Sequence, residues 1–213
     1  FGSNTLFAET RVPPTTKNRD ASAFSADTSR AGSTVAITTL KNRDLEEIKR
    51  LPNVINGYGM VVGQKVASYR DTAKSILFYG ASADRFEIDK GTLKQGRFFS
   101  QAEDAGAAQV AVLGSNLAAD LFGQDNPEGK MFRLGNLNFQ VIGVYNPRAS
   151  LGGGEDDAVF IPLNTAQKKI LGIDYMLAAI IELKDVKLGA AAAEDVRAVL
   201  RRNHEISAPA KDD

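Results

Sequence analysis

The chain has no cysteine and only one histidine, His204. The missing cysteines exclude disulfides, thiolate metal centres and cysteine nucleophiles, and they leave the redox compartment open. An excess of charge of one sign is also absent, since Lys plus Arg and Asp plus Glu both number 26. Without a basic surplus to neutralise phosphates and release counterions, nucleic acid is excluded as an expected partner. No apolar run reaches the roughly 18 residues of a membrane helix, and no charged, apolar, small-residue leader opens the sequence. The sequence begins at Phe1 rather than methionine and reads as a piece of a longer protein whose targeting or membrane segments have been cut away. What is present suffices for folding: 213 residues, 43% of them hydrophobic, can supply one large core or two small ones.

One stretch imitates a nucleotide site. In "FGQDNPEGKMF", residues 122–132, Gly129-Lys130 follows an earlier glycine as in a phosphate-binding loop. That loop needs four residues between its glycines and a hydroxyl after the lysine to ligate magnesium. Here five residues separate Gly123 from Gly129, and Met131 stands where the hydroxyl belongs. The element order is also reversed, with a helical pattern before and a strand pattern after, so Gly123 reads as a helix C-cap followed by a polar turn through Pro127.

Periodicity predicts a mixture of helices and strands without strict alternation, hence an α+β fold. Thr5 to Ala8 suits a strand. Residues 13–33, small and polar with Phe24 alone as a large apolar side chain, read as a flexible loop. Leu45, Ile48 and Leu51 recur at helical spacing after Asn42 as N-cap and before Pro52 as stop. Residues 54–69 and 74–82 form a long hairpin across Arg70-Asp71-Thr72, and a segment with short helical possibilities follows. Residues 109–113 form an apolar strand, Ser115 caps a helix carrying Leu117, Leu121 and Phe122, and a two-residue hairpin turn sits at Gly135-Asn136. Later elements are a strand over "AVFIPL", a short helix over 165–171, a buried strand over "MLAAIIEL", a helix from Leu188 to Arg202 and an edge strand over 204–208.

Chemistry-bearing residues are sparse. A hydrolytic triad needs His204 beside an activated serine and an aspartate, but His204 follows Arg201-Arg202 at a helix end, where it suits the last carbonyls. Gly114-Ser115-Asn116 lacks the flanking glycines of a nucleophile elbow. Glu155-Asp156-Asp157 lacks the alternating ligands of a calcium loop and reads as a solvated acidic turn. Gly96-Arg97 and Asp104 read as a structural turn rather than a phosphate site. No catalytic residue, metal site or cofactor is expected. The loop 146–157 is long and glycine-rich between two strands, so Arg148, Leu151 and Gly153 are the candidate partner or substrate contacts.

"LPNV", "GRFFSQAED", "VAVLGSNLAADLFGQDNPEGKMFRLGNLNFQVIGV", "VFIPLNTAQKKILG" and "LRRNH" occur in that order, and together they resemble the periplasmic core domain of MacB-type ABC transporter permeases from about Thr39 to His204. "FGSNTL" looks like the segment leaving the first transmembrane helix in that family. The resemblance implies a porter-like, βαβ-containing subdomain built from the two chain ends, about 1–80 with 174–213, and an inserted mixed α/β subdomain over about 81–173. It further implies a non-enzymatic domain on the periplasmic side of the bacterial inner membrane. Such a domain couples cytoplasmic ATP hydrolysis to export or extraction of an amphiphile, peptide or lipoprotein. The partners it implies are an ABC ATPase domain or subunit, a second permease copy, and a periplasmic adaptor protein or lipoprotein substrate. A free-standing periplasmic binding or adaptor module is the alternative, and a hydrolase with an unrecognised carboxylate site the third reading.

The reversed element order and the missing hydroxyl make one expectation direct. Calorimetric titration of the chain with Mg-ATP should give no micromolar binding isotherm.

Overall fold

A computed structural model describes residues 5–9, 40–147 and 154–204. The expected loop 13–33 and the expected strand beyond His204 lie outside the described residues. In chain order the elements are β1 (Thr5–Glu9), β2 (Leu40–Lys41), α1 (Asn42–Ile48), β3 (Val54–Tyr69), β4 (Thr72–Ala81), α2 (Arg85–Ile88) and β5 (Leu93–Gly96). They continue with α3 (Gln101–Ala105), β6 (Val110–Leu113), α4 (Ser115–Phe122), β7 (Met131–Leu134), β8 (Leu137–Tyr145) and β9 (Val159–Pro162). The series closes with α5 (Leu163–Thr165), β10 (Tyr175–Met176), β11 (Ala178–Leu183) and α6 (Gly189–Asn203). The fold is α+β, as the mixed periodicity predicts. Two compact units are formed, Phe1–Gly57 with Tyr175–Asp213, and Tyr58–Asp174.

In the first unit, β1 pairs antiparallel with β11, Thr5 opposite Glu182 and Glu9 opposite Ala178. β11 in turn neighbours the start of β3. β10 and β2 form a separate two-stranded pair. The apolar run "MLAAIIEL" therefore serves two ladders, because it breaks at Leu177 between β10 and β11. Ile180 and Ile181 are fully buried. The helical faces pack Leu45 and Ile48 from α1 and Ala192, Val196 and Leu200 from α6 into the interior, as the 3.6-residue periodicity demands.

In the second unit the pairings close on themselves. β3 pairs β4, β4 pairs β9, β9 pairs β6, β6 pairs β8, β8 pairs β7, and β7 returns to β3 at Ala67 and Ser68. β5 takes the edge of β8 at Gly143–Tyr145, beyond the Leu137–Gln140 stretch that β7 occupies. Closure of this kind hides strand edges that would otherwise expose unpaired backbone. The hairpin turn before Thr72 comprises Arg70 and Asp71, with Arg70 at φ 51°. Gly135 opens the second hairpin turn at φ 62°, the conformation that makes glycine the fitting residue there. Phe78, Phe139, Leu113 and Leu117 are fully buried in this unit.

Local details depart from expectation in informative ways. Asn42 is not the N-cap of α1; Lys41 is, and its backbone N–H donates to Asp44 Oδ2 at 2.7 Å. The helix also ends before Leu51, at Ile48. The short helix over 165–171 begins as α5 and widens into π-helical turns over Ala166–Leu171, closed by Gly172 at φ 65°. The turn around Gly96-Arg97 is built by an ion pair and a capping box. Arg97 Nη1 and Nη2 each donate to Glu103 at 2.7 Å, while Ser100 N donates to Glu103 Oε2 and Ser100 Oγ accepts from Glu103 N.

Those donors hold the Glu103 carboxyl down to about 2, chiefly through Arg97 and against the opposing effect of burial. Because its folded pKa lies below the unfolded value, Glu103 contributes stability that is present above the ordinary carboxylate range and is lost as pH falls toward about 2. The Arg97→Gln chain should therefore lose less stability than wild type on acidification from pH about 5 to pH about 2. Urea unfolding across that window measures the difference, and NMR titration of Glu103 locates its midpoint directly.

Candidate functional site

The most unusual environment in the second unit surrounds Arg85, the first residue of α2. Its side chain is 4% exposed, although an isolated cation in such a place would be strongly disfavoured. Compensation comes from two carboxylates: Nε donates to Asp89 Oδ2 at 3.0 Å, one helical turn along, and Nη2 donates to Glu155 Oε1. The guanidinium carbon also sits 4.6 Å from the centre of the Phe160 ring and 5.5 Å from that of Tyr79, so the ring faces add cation–π attraction. Tyr58 completes the cluster by donating its hydroxyl to both Asp89 oxygens, at 3.0 and 3.1 Å. Burial opposes the charge of Arg85, but Tyr58, Glu155, Tyr145 and Asp89 outweigh it and the net shift is upward. Burial likewise raises the Tyr58 phenol. Arg85 Nη1 has no hydrogen-bond partner.

Glu155 stands at the foot of the glycine-rich loop, and the two residues after it are engaged as well. The Asp156 carbonyl accepts from Asn116 N at 2.9 Å and Leu117 N at 3.1 Å, capping the N-terminus of α4 with backbone. Gly114 N donates to Ala158 O at 2.9 Å, and a Cβ on Gly114 would run into the carbonyls of Asp156 and Glu155. Asp157 accepts from Lys74 Nζ at 3.0 Å, and the same ammonium bridges to Asp120 of α4 at 2.5 Å. These contacts lower the Asp157 pKa, chiefly through the Lys74 hydrogen bond, and raise that of Lys74, chiefly through Asp120.

Two expectations need correction here. Glu155-Asp156-Asp157 is a half-exposed acidic turn but not one left to solvent alone, because each member fastens the loop foot to a different element. Ser115 does not cap α4 either. Gly114 is the N-cap, the Asp156 carbonyl takes the free amides, and Ser115 Oγ is buried without a hydrogen-bond partner.

The candidate contacts Arg148, Leu151 and Gly153 lie outside the described residues, so the structure places only the foot from which they extend. The His204 backbone N–H donates to the Leu200 carbonyl at 3.0 Å, and its ring meets a buried carboxylate, with Nε2 2.9 Å from Asp44 Oδ2. Gly123 ends α4 at φ 59° and Gly129 N donates to Val141 O, so the phosphate-loop lookalike is the C-cap and strand lead-in that its spacing indicates. Among the described residues no group of three or more His, Cys, Asp or Glu side chains is placed to hold a metal. Sequence reasoning missed Arg85 and Asp44. The four-residue spacing of Arg85 and Asp89 was a visible signal for the first, whereas nothing local marks Asp44 as buried.

Comparison with known proteins places this geometry in context. The family model described as "MacB-like periplasmic core domain" matches residues 9–199. A protein of Chlorobaculum tepidum named "Macrolide export ATP-binding/permease protein MacB" is 31% identical over 178 residues, 83% of this chain and 27% of that protein. A Chlorobium luteolum protein of the same name is 28% identical over 180 residues, 80% of this chain and 26% of the relative. The chain thus spans about a quarter of the length of the curated relatives it matches. Among solved structures, the periplasmic region of MacB from Actinobacillus actinomycetemcomitans matches with a TM-score of 0.75 at 19% identity, over 96% of this chain and 86% of that one. The extracellular domain of the noncanonic ABC-type transporter YknZ matches with a TM-score of 0.71 at 18% identity, over 78% of this chain and 85% of that one. Both likenesses concern the fold.

The buried cluster yields a graded expectation. Arg85→Met leaves Asp89 and Glu155 without their buried cation and should cost about 3–5 kcal/mol. Glu155→Gln keeps an acceptor for Nη2 and should cost about 1–3 kcal/mol. Lys74→Met, at a largely solvated bridge, should cost about 1 kcal/mol or less. Urea unfolding of the three variants checks the order.

Proposed function

The chain belongs to the MacB-like periplasmic core domain family, and on that premise we propose that it is the extracytoplasmic part of an ABC transporter permease, working at the periplasmic face of the inner membrane. The match of the family model over residues 9–199 carries this reading. The named relatives are macrolide export ATP-binding/permease proteins, of which this chain corresponds to about a quarter. Its proposed partners are an ATPase domain or subunit, a second copy of the permease, and a periplasmic adaptor or lipoprotein. Its proposed role is to couple ATP hydrolysis to outward movement of an amphiphile such as a macrolide, a peptide or a lipoprotein.

The geometry supports a mechanical rather than a chemical contribution. The first unit contains both ends of the chain, and the second is reached by two covalent crossings, within β3 after Gly57 and again after Asp174. A displacement arriving at the chain ends therefore has two routes along the backbone into the second unit. A closed ring of strands and a loop foot fixed by Arg85 resist deformation, which suits a part that moves as a body. In the second unit this leaves 146–157 as the proposed contact loop, with Arg148, Leu151 and Gly153 as its candidate contacts.

The full-length gene provides the test. Expressed in a macrolide-sensitive host with its adaptor and ATPase, the intact protein should raise the tolerated erythromycin concentration, and a catalytically dead ATPase should abolish that gain. Loss of protection on Arg148→Ala or Leu151→Ala in a folded, inserted protein would support the loop as the contact. A product with a cleavable leader and no membrane span on either side would overturn the permease reading in favour of a free module.

A further inference from the structure

The first unit contains a joint between α1 and α6 that the family reading does not require. Asp44, on the first turn of α1, is completely buried. Its Oδ2 accepts from Lys41 N at 2.7 Å and shares a hydrogen bond with His204 Nε2 at 2.9 Å, and its Oδ1 accepts from Asn203 Nδ2 at 2.9 Å. Arg43 completes an exchange in the opposite direction, with Nη2 donating to the Asn203 carbonyl at 2.8 Å. Next to it, Arg202 Nη2 donates to Glu47 Oε2 at 2.6 Å.

The arrangement is reciprocal. An α-helix leaves amides unsatisfied at its start and carbonyls unsatisfied at its end, with opposite ends of the helix dipole exposed there. Asp44 answers the start of α1 and Arg43 answers the end of α6, so each helix terminus is completed by residues that also hold the other. Three consecutive residues of α6's end, Arg202, Asn203 and His204, are thereby fastened to Glu47, Arg43 and Asp44 across 155 to 160 positions of sequence.

We propose that Asp44 is a positioning residue that makes the last turn of α6 and the first turn of α1 one rigid joint. A pull on the chain beyond α6 is then delivered to α1 and not spent unwinding α6. The use of this joint in transport rests on the reading of the chain as a permease domain. The joint itself does not, and can be tested separately.

The test is force spectroscopy on the 213-residue chain, held by its two ends in an optical trap, with Asp44→Asn as the principal variant. The substitution keeps the shape of the side chain but adds an N–H. Turned toward Lys41, that N–H meets a fixed backbone donor; turned toward Asn203, it is accepted only if the Asn203 amide turns over, and in both cases the donors lose the carboxylate they address. The first opening under constant load should be a small extension from the end of α6, with its lifetime shortened about tenfold or more, the factor expected from losing hydrogen bonds to a buried charge. Hydrogen exchange should show faster amides over residues 199–204 and unchanged protection in β11.

Val196→Ala, on the buried face of α6, is the control for simple destabilisation. Compared at equal loss of equilibrium stability, it should leave the first-opening lifetime near the wild-type value. Should Asp44→Asn fail to fold, Asn203→Ala takes its place, removing one donor to Asp44 and leaving the Asn203 carbonyl to Arg43. Wild-type lifetimes and exchange in the folded Asp44 or Asn203 variant would overturn the joint, as would an equal effect of Val196→Ala. If the trap results hold while the full-length product proves to have a cleavable leader and no membrane span, the joint stands and the permease reading falls.

Discussion

A guanidinium sealed away from water is the constraint from which the second unit is built. Arg85 can be buried only if negative charge accompanies it, and its helix supplies one carboxylate, Asp89. The other comes from Glu155, seventy positions along the chain, and bringing it there settles the path of the loop foot. With Glu155 in place, the next residue lays its carbonyl over the N-terminus of α4, and that close approach leaves room at position 114 for glycine alone. One buried charge thus determines a turn, a helix cap and a residue without a side chain.

The first unit solves the opposite problem by different means. There the buried charge is an anion, Asp44, and its compensation is spread over a backbone amide, a side-chain amide and a histidine, with the Arg43 guanidinium 3.7 Å from the carboxylate. Arg85 is matched by charge, whereas Asp44 is matched mainly by directed donors. Directed donors tolerate little rotation, because hydrogen bonds weaken steeply away from alignment. The Asp44 contact is therefore the more orientation-specific of the two, as befits one that sets a helix against a helix.

Legibility from sequence followed how local each determinant was. The β3–β4 hairpin, the turn at Gly135, the end of α4 at Gly123 and the inward faces of Leu117, Val196 and Leu200 are dictated by patterns within a few residues, and they were readable. The cap at 115 was misread because the choice between a hydroxyl cap and a backbone cap depends on which distant carbonyl arrives, and Asp156 does; at 42 the cap lies one residue earlier, at Lys41, whose amide is taken by the Asp44 carboxylate. β5 has no apolar alternation to announce it, since its residues merely take the edge of β8. The π-helical turns over 166–171 leave no mark in composition. Likewise, the polarity of Glu155-Asp156-Asp157 suggested solvent, when the partners Arg85, α4 and Lys74 come from elsewhere in the chain.

Stability alone does not explain why the two units keep such clusters. Apolar residues of similar volume often stabilise a fold as well as a buried ion pair or better. The two differ in selectivity. An apolar side chain at position 85 would be satisfied by any close-packed neighbour, so the loop foot could settle in several registers at little cost. Arg85 is satisfied only when Asp89 and Glu155 are both present, and every other packing strands a charge. The same logic applies to Asp44, where a slipped α6 would remove Asn203 and His204 together. Under the proposed mechanical role, a part that must return to the same geometry after each displacement gains more from steep penalties on wrong arrangements than from a deeper minimum for the right one.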